Sequence, residues 1–312
     1  MKILFVSSGN TGAVKPVVYN QAISLKRQDV SIDYFLVKGK GISGYLKNIK
    51  PLRRAMRKTN YDVVHAHYSF SAFLASVSGA QPLLVSLMGS DVKASFMMKS
   101  AIKIFGWLFN WKRIIVKSDD MRKTLKMKNV EVVPNGVNLD VFRPQNKHEC
   151  RKNLNWASED KHILFAANPN IEAKNYQLLD SALRLMGSDL PHVHCLIGVK
   201  PEEVPCWINA ADIVVLTSLW EGSPNVIKES MACNKPIVVT NVGDVARIIE
   251  NIEGCYLTTF DPLDLKSKLL LALAFSEKYG ETKGRNRIAE LGLDSVSIAK
   301  RIISLYKEVS GK

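Results

Sequence analysis

Apolar residues in this chain fall into short runs closed by glycine, proline, asparagine or serine, and between the runs lie longer stretches whose apolar positions recur every three or four residues. The runs predict strands at 3–7, 32–37, 63–67, 83–87, 114–117 and 131–133. The pattern restarts at 163–167, 194–197, 213–217, 237–240 and 256–258. Each gap is long enough for a helix or crossover, which predicts parallel sheets rather than hairpins. Two doubly wound α/β units follow. The polar, turn-rich stretch 135–159 separates them, so the expected division is residues 1–145, residues 146–294 and a last helix within 295–312 that could cross back to the first unit. Ligands of such sheets lie at the carboxyl ends of the strands, and a cleft between the two units is the expected site.

The stretch 221–229 (EGSPNVIKE) places two carboxylates, Glu221 and Glu229, around a turn that opens a helix. Gly222, Ser223, Pro224 and Asn225 are turn and cap residues, and Pro224 suits a first helical position, with 226–232 continuing as helix. A helix start whose N–H groups lack intrahelical partners is an anion site. Acceptors on either side of such a site suit a ligand that is part diphosphate and part polyol. The alternative is an acidic, well-capped surface helix.

Composition changes the picture in two ways. With 312 residues, 46% hydrophobic and 23% charged, the chain can bury two cores. Its five cysteines (Cys150, Cys195, Cys206, Cys233, Cys255) show no metal-cluster spacing, which points to a reducing cytosol, and 1–8 reads as a first strand rather than a signal peptide. The charge is lopsided. Residues 1–145 hold 23 Lys and Arg against 8 Asp and Glu, the rest 20 against 21, so the net +14 lies in the first half. A field of one sign attracts anionic partners. Two segments concentrate it: 45–58, where Leu52, Ala55 and Met56 form a stripe among cations, and 94–113, which mixes Phe96, Phe105, Trp107 and Trp111 with Lys99, Lys103 and Lys112. Both fit helices on an anionic membrane surface or helices half-buried with a cationic edge. The uncharged run 104–111 is too short to span a bilayer, and no nucleic-acid motif accompanies the charge.

The 221–229 stretch resembles the E-x7-E signature of family 4 retaining glycosyltransferases. Other pieces agree: 134–138 (PNGVN) resembles the linker turn, 62–67 (DVVHAH) a strand end, 174–175 (KN) a donor-loop element, and 89–91 (GSD) an acceptor-side element. The resemblance covers about residues 1–250. It implies the GT-B fold, with an acceptor-binding first domain and a nucleotide-sugar-binding second domain. It also implies transfer from a UDP- or GDP-sugar to a glycan or lipid-linked acceptor in surface polysaccharide or glycolipid synthesis, at the inner face of the cell membrane. No cofactor is expected, and no D-x-D pair is placed for a metal. Carried over by position, Lys174 stabilises the leaving diphosphate and Glu221 binds the sugar hydroxyls. Gly222, Ser223, Asn225 and Val226 meet phosphate or sugar, and Glu229 meets the ribose. Gly12 and Asn168 complete the donor side. Gly9, Asn10, His67 and Asp91 form the acceptor side, with His67 counted as catalytic beside Lys174 and Glu221. His67 is preferred over His65, which is expected on the opposite strand face.

Two departures stand out. Asn168 occupies a position where the family usually has arginine, and only ten residues separate Gly198 from Asn209, where relatives carry a further helix and strand contacting the nucleobase. Two other readings therefore compete: a catalytically impaired partner subunit, and a GT-B nucleotide-sugar epimerase.

Overall fold

The computed structural model describes residues 1–312 except 11, 40, 94–95 and 188–189. It divides into two compact units, Met1–Gly136 with Ser295–Lys312, and Val137–Asp294. Among the described residues the first unit holds six strands: β1 (Lys2–Ser8), β2 (Ser31–Val37), β3 (Val63–His67), β4 (Leu83–Ser86), β5 (Arg113–Val116) and β6 (Val130–Val132). They lie in the order β2-β1-β3-β4-β5-β6, all parallel. The second unit holds β7 (His162–Phe165), β8 (His192–Cys195), β9 (Ile213–Leu216), β10 (Ile237–Thr240) and β11 (Cys255–Thr258), in the order β11-β10-β9-β7-β8 and again parallel. This is the GT-B fold. All eleven expected strands form, with ends shifted by no more than two residues.

Strand alternation builds the cores. Ile3 and Phe5 face one side of β1, packing on Val18, Ala22 and Leu25 of the helix Pro16–Lys26. Leu4 and Val6 face the other side, toward Leu52, Ala72 and Leu74. Each such valine, leucine, isoleucine or phenylalanine side chain contributes roughly 1.5–3 kcal/mol by leaving water. The helix Ser295–Ser310 belongs to the first unit because Ile298, Ala299, Ile302 and Tyr306 enter that same layer. Among the described residues of the second unit, β8 stands at one edge of the sheet, and the helix Val204–Ala210 is the one element between β8 and β9.

The two basic segments divide between core and surface. Leu52 of the helix Ile49–Lys58 is buried beneath exposed arginines. Ala94 lies outside the described residues. In the helix Phe96–Leu108, Ile102 is buried while Phe96, Met97 and Trp107 are 81–82% exposed. Trp111 is core, donating from Nε1 to Ser76 Oγ at 2.8 Å. Among the described residues no helix is long and apolar enough to cross a membrane.

Candidate active site

In the second unit the strand order reverses between β7 and β9, the place where such sheets open to ligands. The loops leaving these two strands are stitched together. Thr217 Oγ1 donates to the carbonyls of Lys174 (3.0 Å) and Asn175 (2.8 Å), and Leu219 N donates to Ala173 O at 2.9 Å. Lys174 closes the short 3-10 turn Glu172–Lys174, and Asn175 follows in the left-handed region (φ 50°), which asparagine tolerates. The result holds Lys174 Nζ 2.5 Å from Glu221 Oε1, which also accepts from Ser218 Oγ at 2.8 Å. Their side chains are 27% and 16% exposed, so the pair is accessible yet partly desolvated.

Behind Glu221, Gly243 sits at φ +65° with its α-carbon against the 221–222 backbone, and a Cβ there would stand 2.5 Å from Gly222 O. Only glycine fits. The helix Asn225–Ala232 begins one residue later than expected, and Pro224 is its N-cap (φ −67°, ψ 120°) rather than its first helical residue. Such a proline completes the turn at Gly222 and Ser223 and leaves the first N–H groups to Asn225 and Val226. Lys228, 1% exposed, donates from Nζ to Ser223 Oγ at 3.1 Å and so braces that turn from beneath. Burial lowers its pKa to about 8, opposed by the carboxylates of Asp244 and Glu229. Glu229 keeps part of its surface exposed, but the crowding around its carboxyl pushes its pKa up to about 7 against the pull of Lys228.

The first unit reverses strand order between β1 and β3. Gly9 N donates to Val37 O at 2.8 Å, and Gly12 N to Gly9 O at 3.0 Å with Gly12 at φ +81°; Thr11 between them lies outside the described residues. Asn10 is occupied structurally: its amide exchanges two hydrogen bonds with the Gly39 backbone, at 2.8 and 3.1 Å. Asp91, 8% exposed, accepts from Ser69 N, Ser69 Oγ and Met88 N at 2.7–3.1 Å. Burial raises its pKa against these bonds, and its carboxylate ties the 88–91 turn to the helix Ser69–Val77.

His65 and His67 correct the expectation of opposite faces. Residues two apart on a strand share a face, and the two rings stack at 4.2 Å. His65 is bracketed by Tyr306 OH (2.6 Å) and Ser86 Oγ (2.7 Å). His67, 0% exposed, lies 4.5 Å from the Phe5 ring, and its two nitrogens have no hydrogen-bond partner among the described residues. Burial drives its pKa down to about 3, so it is neutral near pH 7. A solvent-exposed acid–base role is therefore closed to it in this conformation.

Two models match the chain: "Glycosyltransferase Family 4" over residues 11–141 and "Glycosyl transferases group 1" over residues 157–274. The chain belongs to the family 4 glycosyltransferases. Among similar proteins, the UDP-Gal:alpha-D-GlcNAc-diphosphoundecaprenol alpha-1,3-galactosyltransferase of Escherichia coli is 23% identical over 263 residues, covering 70% of this chain and 68% of that protein. The putative teichuronic acid biosynthesis glycosyltransferase TuaC of Bacillus subtilis is 27% identical over 266 residues, with 72% and 68% covered. Among solved structures, a sucrose-phosphate synthase of Thermosynechococcus elongatus superposes with a TM-score of 0.82 at 17% identity, covering 99% of both chains. HepE of Anabaena in complex with UDP-glucose superposes at 0.75 and 16% identity, covering 99% and 100%. These superpositions show the fold.

Within this glycosyltransferase, Asn168 is half-buried at the start of the loop that follows β7. Its Oδ1 accepts from Asn170 N at 2.9 Å and shapes the loop that delivers Lys174. Sequence reasoning missed three residues. Lys228 carried a faint signal as a lysine inside the apolar run of its helix. Ser218, the second partner of Glu221, carried none. Tyr68, directly after His67, adopts φ 71°, ψ 153°, a region almost reserved for glycine. Holding it there costs on the order of 1–3 kcal/mol, the kind of strain that gathers at ligand sites.

Proposed function

We propose that this glycosyltransferase moves a sugar, with retention of configuration and without a metal, from a UDP- or GDP-sugar to a glycan or lipid-linked acceptor of a surface polysaccharide or glycolipid. The observation that carries the reading is the Lys174–Glu221 pair at 2.5 Å, beside the start of the helix Asn225–Ala232. In a retaining transfer the bond from the anomeric carbon to the diphosphate breaks, the acceptor oxygen bonds to that carbon on the same face, and the acceptor hydroxyl gives its proton to the departing phosphate. Negative charge then builds on the departing diphosphate. Preorganised cations and helix-end amides stabilise that charge without reorganising, and Lys174 with the N–H groups of Asn225 and Val226 takes that part. Glu221 accepts from the sugar hydroxyls and Glu229 from the ribose. His67 acts as a neutral hydrogen-bonding group beside the acceptor.

UDP is the first nucleotide to try, because HepE was solved with UDP-glucose and the E. coli relative is named for UDP-Gal. The cationic 1–145 half and the exposed Phe96, Met97 and Trp107 support work at the inner, anionic membrane surface. A second reading, a partner subunit without turnover, is favoured by Asn168, an uncharged side chain where the family usually has arginine. Calorimetric titration with UDP, GDP, ADP, CMP and NAD, with Glu229→Ala alongside, separates the two. Selective binding of one nucleoside diphosphate, lost in the variant, supports the transferase; binding of none of the five favours the partner subunit.

A further inference from the structure

The first unit contains an apolar groove of about 270 Å³ lined by Tyr45, Leu46, Ile49, Phe70, Phe73 and Phe105, and its accessible wall carries no polar surface. A second pocket of about 330 Å³ adjoins it, lined by Ser8, Lys15, Tyr68, Ser69 and Asp91 at the carboxyl ends of β1 and β3. The two share Tyr45 and Phe70, whose rings stand 5.6 Å apart as a common wall. We propose that together they bind a lipid-linked acceptor, its phosphate beside Lys15 in the polar pocket and the first hydrocarbon units of its chain in the apolar groove. This rests on the transferase reading and specifies its acceptor class.

The chemistry of each wall selects the occupant. A peptide in the groove would bury backbone N–H and C=O groups against a surface that cannot pair with them. Hydrocarbon has no such groups. A dry cavity of about 150 Å³ takes one benzene ring, so this groove fits a short stretch of chain and not a whole lipid. The remainder would continue outward past Leu46 and Phe70, which are 57% and 47% exposed. In the polar pocket, Asp91 is committed to Ser69 and Met88. Lys15 Nζ, poised 4.4 Å over the Tyr68 ring, is then the charge offered to an incoming anion. A cation and hydroxyls on one side of an aromatic wall, with pure hydrocarbon surface on the other, match an amphiphile whose anionic group directly precedes its chain. The excess of cations over residues 1–145 draws such an anion in.

The test uses the full chain, three soluble probes below any micelle concentration (farnesyl phosphate, farnesol and inorganic phosphate) and, as a fourth probe, phosphatidylglycerol vesicles. Calorimetry should show farnesyl phosphate binding at least tenfold more tightly than either part. Leu46→Glu and Phe70→Glu, both at half-exposed positions, should each weaken it at least tenfold while UDP binding and the circular dichroism spectrum stay unchanged. Lys15→Ala should weaken it and flatten its salt dependence. Equal affinity of wild type and both groove variants overturns the assignment, as does binding only to phosphatidylglycerol vesicles that responds to Trp107→Glu and not to Leu46→Glu. If UDP binds and farnesyl phosphate does not, the groove assignment fails and the transferase reading stands. If farnesyl phosphate binds and no nucleotide does, the transferase reading fails and the groove remains a lipid-phosphate site.

Discussion

Replacing Lys174 by methionine removes the ammonium while keeping most of the side chain's length and apolar stem. In the unliganded protein the lost partner is Glu221 at 2.5 Å, which keeps the Ser218 hydroxyl at 2.8 Å. With 27% and 16% of the two side chains exposed, the pair is worth about 1 kcal/mol of stability. That corresponds to a melting shift of about 4 °C or less in a domain of this size. The catalytic effect is larger. A unit charge about 4 Å from a developing phosphate charge is worth about 4 kcal/mol at an effective dielectric constant of about 20, and losing one preorganised donor typically costs about 10²–10³ in rate. Part of that is offset because Lys174 must leave Glu221 to serve the phosphate, so the expected loss is about a hundredfold. The assay is release of nucleoside diphosphate from whichever nucleotide-sugar binds, with melting followed in parallel. Undiminished turnover in Lys174→Met refutes the assignment. A rate loss matched by a melting drop well beyond 4 °C refutes it too, since the lysine would then be structural.

The other expectations concern single contacts. Glu229 has its pKa raised to about 7, so the carboxylate proposed to accept from ribose forms as pH rises through 7; affinity for a nucleotide-sugar should rise between pH 6 and 8, and Glu229→Gln should flatten that profile, as titration calorimetry can check. Tyr306→Phe leaves buried His65 Nδ1 without its 2.6 Å partner, and urea unfolding should show a loss of about 1–3 kcal/mol; a midpoint equal to wild type would mean that the contact does not form. Gly243→Ala sets a methyl group 2.5 Å from Gly222 O at a positive φ, costing about 1–3 kcal/mol, and should weaken nucleotide binding by displacing Glu221. Intact stability and binding in that variant would show that the loop moves freely.

The strands were legible because their signal is local. A short apolar run between turn residues excludes other conformations within its own few residues, and all eleven formed close to the expected places. The turn before the helix Asn225–Ala232 was legible for the same reason, to within the one residue by which Pro224 moved from helix to cap. What the side chains at the strand ends touch was not legible. Asp91 meets Ser69 across 22 residues, Asn10 meets Gly39 across 29, and His65 meets Tyr306 across 241. No periodicity encodes such pairings, because they arise only when separate elements pack.

Sequence alone therefore determined the class of fold, the two-unit order and the cationic first half. It also fixed the positions at which acid, amide and amine stand in the chain. Tertiary structure decided which of those groups keep access to solvent and which are spent. Lys174 and Glu221 came together at a strand-order reversal, while Asn10 was tied to the Gly39 backbone and His67 was buried against Phe5. Tertiary packing also sent the last helix to the first unit and drove Lys228 beneath the Ser223 turn. The physical reason is that burial and hydrogen-bond partnership belong to the packed whole, whereas turn and strand preferences belong to the residues themselves.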